Sequence, residues 1–510
     1  MKIERTKNAV RNIIFGTALK IYQIIIPFLL RTVMIYFIGI EYIGLNSLFV
    51  SVLQILNMAE LGAGSAMVFS MYKPIADDDT KTICALMKLY RLYYHIIGTV
   101  IAVSGLILTP FLKYFISGDV PQDINLTILY LMNLTATVLS YWLFAYKNSI
   151  FQAYQRNDIP EKITILTNTF QYALQFAAIC IFRNYYLFVM ILLLSQIINN
   201  IVTAIAADKI YPHYRPQGEL AKDKVKEINQ RIKDLFTAKI GYVIVTSADT
   251  IVISAFLGLK VLAVYQNYYF ILTSVIGFIT VIFTSVTAGI GNSLIVETAE
   301  KNFVDLKKFT FMMCFLGCFC SSSFLSLYQP FMKIWVGEEY ILEYQAVIFF
   351  VVYFYITEIN QLLNTYKDAA GIWHKDRFRP LVTACANLLM NILTVNFLGL
   401  YGVILSTVIS TAVIGMPWLL YNLFTEIFRF GMLKSYLKKL LLYVLLSLLI
   451  CTITTILCSL IRFDNILTLI VRMFICLILP NTLFILACFK SEECRESIGL
   501  IKNITKKQRT

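Results

Sequence analysis

The chain has 510 residues, 58% of them hydrophobic and 15% charged, with a formal net charge of +14 and a mean hydropathy of +0.72. A soluble domain carries about 25% charged residues, and here the missing charge has been removed from apolar runs of ~20 residues or more, each long enough to cross ~30 Å of hydrocarbon as a helix. That excludes a soluble globular chain.

The first apolar run, near residues 12–38, is too long for a signal-peptide core, carries Lys20 and Arg31, and lacks a small-residue cleavage site. It reads as a retained helix. Runs near 43–70, 89–116, 124–151, 162–182 and 185–207 complete a first set of six. A basic stretch over 208–235 leads to a second set near 236–257, 261–289, 307–333, 343–366, 380–398 and 401–425. Two further runs, near 436–460 and 464–488, precede a basic tail over 489–510. Two divisions are tight, at Arg183-Asn184 and between Leu398 and Tyr401. The expected fold class is all-α integral membrane, with about 14 transmembrane helices.

The positive-inside rule tests that count separately. With a cytoplasmic N-terminus, 34 of the 44 Lys and Arg residues fall in alternate segments and tails assigned inside. The segments assigned outside hold only Lys113, Arg183, Lys260, Lys333 and Arg462. Both termini are therefore expected in the cytoplasm. The net charge then reflects loops facing an anionic leaflet, so the basic stretch and tail predict no nucleic-acid partner. Of the 11 cysteines, Cys314, Cys318 and Cys320 cluster without a nearby histidine, which predicts packing rather than metal binding.

Shifting the sequence by 219 residues lays Phe37-Ile-Gly39-Ile40 over Phe256-Leu-Gly258-Leu259 and Lys20 over Lys239. Six helices lie between the copies, so both halves keep one orientation. This predicts two pseudo-symmetric six-helix lobes about a cavity, an N-lobe over 1–207 and a C-lobe over 236–425, joined by the loop 208–235. Helices 13 and 14, over 436–488, are left as an appendage.

A charge at the bilayer centre costs roughly 2.5–3.5 kcal/mol on insertion scales, so each one needs a partner or a wet cavity. Lys20 and Glu60 sit at similar depth on neighbouring helices, and an ion pair between them is one reading. Arg91 and Lys239 lie near cytoplasmic ends, where snorkelling is the default, and His95 reads as an interior histidine. Arg31 lies too deep to snorkel and is expected to face the cavity. Asp249 and Glu358 lie near mid-depth, as gating or ion-coupling candidates together with Glu60. Arg31 and Asp249 either pair across the cleft as a gate or form a structural ion pair.

No phosphate-binding Gly-rich loop, zinc-protease motif or nucleophile elbow occurs. With three histidines in the chain and short outer loops, transport is expected rather than catalysis, with no cofactor.

Ala59-Glu-Leu-Gly-Ala-Gly-Ser-Ala66, continuing through Phe69-Ser-Met-Tyr-Lys-Pro74, resembles a stretch of bacterial Wzx-type polysaccharide repeat-unit flippases. Leu30-Arg-Thr-Val33, Ile334-Trp-Val-Gly-Glu338, Asp376-Arg-Phe-Arg-Pro380 and Phe397-Leu-Gly-Leu-Tyr-Gly402 extend the resemblance along the chain. That family belongs to the multidrug/oligosaccharidyl-lipid/polysaccharide (MOP) exporter superfamily. The resemblance implies two six-helix lobes, two extra helices, and transfer of undecaprenyl-pyrophosphate-linked oligosaccharide between leaflets of the bacterial cytoplasmic membrane. It also implies polymerase and chain-length machinery as partners. A pyrophosphate needs cations, so Arg31, Lys20 and Lys239 are the expected contacts. Asn46, Gln54, Asn57 and Gln266 are expected to hydrogen-bond the sugars. The rival expectations are a drug/cation antiporter using Asp249, Glu60 and Glu358, and a glycan-assembly enzyme or scaffold.

Overall fold

The computed structural model describes residues 5–118, 120–461, 465–497 and 499. Arg462 and the basic tail beyond 499 lie outside the described residues. The described chain is helical almost throughout, and its contacts divide it into two units, 1–263 and 264–510.

The first unit opens with α1 (Arg5–Phe37), α2 (Glu41–Leu56), a 3-10 turn at Asn57–Glu60, and α3 (Ala63–Ala76). It continues through α4 (Thr80–Leu108), α5 (Leu126–Trp142), α6 (Asn148–Ala153), α7 (Asp158–Cys180) and α8 (Tyr185–Ile210). It then takes the first arm of α9 (Lys222–Val296). Helix starts are set locally: Asp79 caps α4 through Thr82 N–H, Asn125 caps α5 through Ile128 N–H, and Asn184 caps α8 through Leu187 N–H. The tight division at Arg183-Asn184 is made by Arg183 in the left-handed region (φ 47) followed directly by that Asn184 cap. Met67, Met71, Leu86, Met87, Tyr90, Ile150, Phe151 and Tyr211 form a core where α3, α4, α6 and α8 meet.

The second unit takes the far arm of α9, then α10 (Ala299–Val336), α11 (Tyr344–Ala369), the single turn α12 (Trp373–Asp376) and α13 (Arg379–Ile409). A π-helical turn leads into α14 (Met416–Glu426), followed by α15 (Phe430–Ser459) and α16 (Asn465–Cys488). At its centre is α10, packed against α11, α15 and α16. Its small face carries Cys314, Gly317, Cys318, Ser321 and Ser322, all buried. Small residues let helices approach without a hydrophobic drive between them. Cys451 of α15 lies 3.3 Å from the Ser322 hydroxyl, and a Cβ on Gly317 would meet the Tyr355 ring at 3.1 Å. The two last helices pack into this unit through α10.

Among the described residues ten helices are long and apolar enough to cross a membrane, or eleven if the bent pair Leu126–Trp142 and Ala145–Ala153 is one span. The shortfall from the predicted fourteen has local causes. Residues 222–283 form one continuous element, but Gly258 (φ 87, ψ 173) breaks its helical path at a predicted turn. Gly399 (φ 54, ψ −133) does the same within residues 373–426. In α7 the polar residues Asn168, Gln171 and Gln175 dilute the hydropathy. Gly39 and Gly258, superposed by the 219-residue shift, both have positive φ (118 and 87), where L-residues with a Cβ are disfavoured.

Candidate functional site

In the first unit, α2, its 3-10 turn and α3 run along the first arm of α9. The contact is backbone-close. A Cβ on Gly44 would sit 2.3 Å from the Leu259 carbonyl oxygen, and one on Gly62 would sit 2.7 Å from Leu235 Cβ and 3.0 Å from the Ile232 carbonyl oxygen. Gly62 also has φ 91. The Ala-Glu-Leu-Gly stretch is therefore a break inside one continuous element, residues 41–76: the 3-10 turn ends α2, the left-handed glycine interrupts the helix, and α3 starts at Ala63.

Polar side chains gather around that break. Tyr94 Oη donates to Glu60 Oε1 at 3.2 Å, and Tyr90 Oη donates to Tyr94 Oη at 2.7 Å. Tyr141 stacks obliquely on Tyr94 with ring centroids 5.4 Å apart. Lys239 lies across the seam, its Nζ 3.4 Å from Ser65 Oγ, and its charge acts on the Glu60 carboxylate. One helical segment higher, Gln54 Nε2 reaches Thr246 Oγ1 at 3.4 Å. Asp249 is buried beside the buried Ser247, Thr250 and Ser254 on the same arm of α9. Asn57 Oδ1 is buried without a hydrogen-bond partner among the described residues.

Of the predicted site residues, the seam brings together Glu60 with Lys239 and places Gln54 and Asn57 beside the α9 arm. No ion pair joins Lys20 to Glu60 among the described residues; Glu60 is held by Tyr94 instead. Lys20 and Arg31 are both half-buried on α1. They are 11 residues apart, about three turns, so they share one helix face at roughly 16 Å separation. Asn46, also on α2, lies 3.5 Å from the Tyr185 hydroxyl. Gln266 and Glu358 belong to the second unit. Glu358 of α11 is 1% exposed, and neither carboxylate oxygen has a hydrogen-bond partner among the described residues.

Tyr90, Tyr94, Tyr141 and Ser65 escaped the sequence reading, because tyrosines in apolar helices carry no signal of which face they occupy. Two aspartate clasps escaped it too. At the start of α7, Asp158 is fully buried and accepts from Arg156 Nε at 2.8 Å and Lys162 Nζ at 3.2 Å. In the second unit, Asp376 is 2% exposed and takes a bidentate grip from Arg379 at 2.7 and 2.8 Å, with Asn422 Nδ2 at 3.0 Å. Arg379 also donates to Asn364 Oδ1 at 2.9 Å. Close to each clasp a lysine–acid bridge joins neighbouring elements, Lys147 to Asp208 and Lys375 to Glu426. The signal was available: Asp158 to Asp376, and Asp208 to Glu426, are both separated by 218 residues, within one residue of the shift found from the glycine turns.

Among the described residues no group of three His, Cys, Asp or Glu could hold a metal ion. Apolar multi-span helices, broken at glycines and carrying polar and charged side chains along one seam, define a polytopic membrane protein. The family model described as "Polysaccharide biosynthesis protein" matches residues 9–288. The chain belongs to that family, and is a multi-pass protein of the bacterial inner membrane. No curated protein matches it. Among solved structures it resembles the lipid II flippase MurJ in an inward closed conformation, with TM-score 0.68 at 14% identity over 93% of this chain and 99% of that one. An inward-facing multidrug resistance MATE family transporter of the MOP superfamily matches with TM-score 0.58 at 16% identity, over 80% and 94% of the chains. A MOP superfamily transporter from Pyrococcus furiosus Vc1 matches with TM-score 0.56 at 15% identity, over 84% and 96%. The chain has the fold of the MOP-superfamily transporters.

Proposed function

We propose that this protein moves an undecaprenyl-pyrophosphate-linked oligosaccharide from the inner to the outer leaflet by alternating access. In this reading, fourteen crossings form two six-helix lobes, 1–207 and 236–425, with helices 13 and 14 added and both termini cytoplasmic. The matched positions of Gly39 with Gly258, and of the two aspartate clasps, support an internal repeat. The observation that carries the cargo is the cationic face of α1: Lys20 and Arg31 in line, about 16 Å apart, in a chain of the polysaccharide biosynthesis family. A guanidinium bonds pyrophosphate oxygens bidentately, while Lys239, Gln54, Asn57 and Gln266 offer hydrogen bonds to the remaining polar cargo. The polyprenyl tail stays in lipid, and polymerase and chain-length machinery consume the product. Arg31→Ala is expected to abolish surface polysaccharide, with accumulation of the lipid-linked glycan and unchanged protein in the membrane fraction. Normal glycan display by that variant at native expression removes Arg31 from the mechanism.

Glu358 favours coupling to an ion. Burying a carboxylate without a partner costs several kcal/mol unless something supplies one, and a proton or a cation would do so. Asp249 and Glu60 would serve as gating groups. Glu358→Gln is expected to keep or raise thermal stability, by ~1 kcal/mol or more, while cutting gradient-driven transport in liposomes at least tenfold. Equal transport by Glu358→Gln with and without an imposed gradient would show flux pulled by product consumption alone. Drug sensitivity of a deletion strain with normal glycan would instead favour antiport.

A further inference from the structure

A site lies on the outer surface of α4, away from the seam just described. A cavity of about 540 Å³ is lined by Lys88, Arg91, Leu92 and His95 of α4 and by Gly218–Leu220 of the segment before α9. A second hollow, about 440 Å³, shares His95 and continues along the helix past Ile96, Thr99, Val100 and Val103. The two form one furrow, cationic at one end and apolar along the rest.

Lys88, Arg91 and His95 share one helix face, at the i, i+3, i+7 spacing. Their depth follows from length. α4 has 29 residues, about 43 Å of helix, against ~30 Å of hydrocarbon. The excess of roughly nine residues, placed at its N-terminal end, puts Lys88 at headgroup level and Arg91 about one turn below it, within snorkelling reach, with His95 and the exposed Ile96, Val100 and Val103 at the level of acyl chains. The one anion in the cavity, Glu219, meets Lys88 at 3.7 Å, but both side chains are largely exposed, where such pairs contribute little. Arg91 has no ion pair among the described residues. Thr99 and Trp142 both donate to the His95 carbonyl oxygen, at 2.8 and 3.2 Å, which holds the helix and the furrow floor in place.

We propose that this furrow holds one anionic glycerophospholipid, its phosphate against Lys88 and Arg91 and one acyl chain along His95, Ile96, Val100 and Val103. Charge complementarity decides the class: a zwitterionic lipid offers the same chain but carries a cation to the cationic end. The proposed topology enters only in naming the cytoplasmic leaflet as the source. Binding in detergent is blind to orientation, so loss of binding and failure of that topology are read separately, the latter by reporter fusions within 208–235.

The test is native mass spectrometry of the full-length protein in mild detergent, titrated with dioleoylphosphatidylglycerol or dioleoylphosphatidylcholine. One phosphatidylglycerol is expected to be retained selectively. Lys88→Gln with Arg91→Gln should weaken it about tenfold or more, at roughly fivefold per basic residue. Val100→Trp, at an exposed position that leaves every charge in place, should weaken it too by filling the chain groove. Equal retention of the two lipids overturns the proposal. So does a loss no larger than that from Lys434→Gln with Lys438→Gln on α15, which would mark general surface electrostatics. Displacement by millimolar inorganic phosphate would reduce the site to an anion site, and preferential displacement by undecaprenyl phosphate would make it a loading point for cargo; either outcome overturns the phospholipid assignment.

Discussion

Gly62→Ala is expected to cost about 3 kcal/mol of stability and, under the proposed function, to abolish surface polysaccharide. Two penalties act at the same atom. An alanine held at φ 91 pays roughly 1–2 kcal/mol for the left-handed conformation. Its Cβ would also stand 2.7 Å from Leu235 Cβ, 3.0 Å from the Ile232 carbonyl oxygen and 3.2 Å from the Phe236 nitrogen. None of these atoms is the tip of a flexible side chain, so the α9 arm itself must move, at roughly 1–3 kcal/mol. That movement would pull Lys239 from Ser65 and Glu60. Thermal unfolding in detergent and glycan display in a complemented deletion strain read the two effects. Gly118→Ala makes a suitable control: it also has positive φ, but a Cβ there meets nothing within 4 Å. Comparable losses from both substitutions would mean that backbone strain alone accounts for the effect and that the seam contact contributes nothing.

Asp376→Ala should destabilise the second unit by about 3–5 kcal/mol, the range for removing one partner of a buried ion pair. Arg379 is itself buried, and without Asp376 its guanidinium keeps only Asn364 among the described residues, while Asn422 loses its acceptor. Asp158→Ala should cost less, because Arg156 and Lys162 are partly exposed (29% and 47%) and can turn to water. Asp158 should nevertheless leave a pH signature. Burial alone would push its carboxyl up, but hydrogen bonds and charge from Arg156 and Lys162 outweigh that and hold it below its usual 3.8. A depressed folded value means that its contribution is full above the unfolded pKa of about 4 and is lost as pH falls through the folded value. Melting temperature against pH should therefore fall more steeply below about pH 4 in the parent than in Asp158→Asn. Equal slopes would show that the clasp contributes nothing through its charge.

The aspartate clasps show where reading the chain stopped short. Asp376-Arg-Phe-Arg-Pro380 was visible as a motif, but three basic or acidic residues in five look like any solvated loop until Arg379 and Asp376 are found buried against Asn364 and Asn422. Charge sequence carries no burial. Conversely, Gly39, Gly258 and the Arg183-Asn184 division were legible, because positive φ and helix capping are properties of a few adjacent residues.

What the amino-acid sequence determined unaided is the membrane class, the all-helical character with its glycine breaks, and which charged residues interrupt apolar runs. These depend on local hydropathy, on backbone sterics and on the cost of an ion in hydrocarbon. Which charges meet was decided by tertiary packing alone. Lys20 and Glu60, expected at one depth, do not pair among the described residues; Glu60 accepts from Tyr94 and feels the charge of Lys239 instead. Depth along a helix follows from counting residues, whereas the direction a side chain faces depends on which helices lie against it.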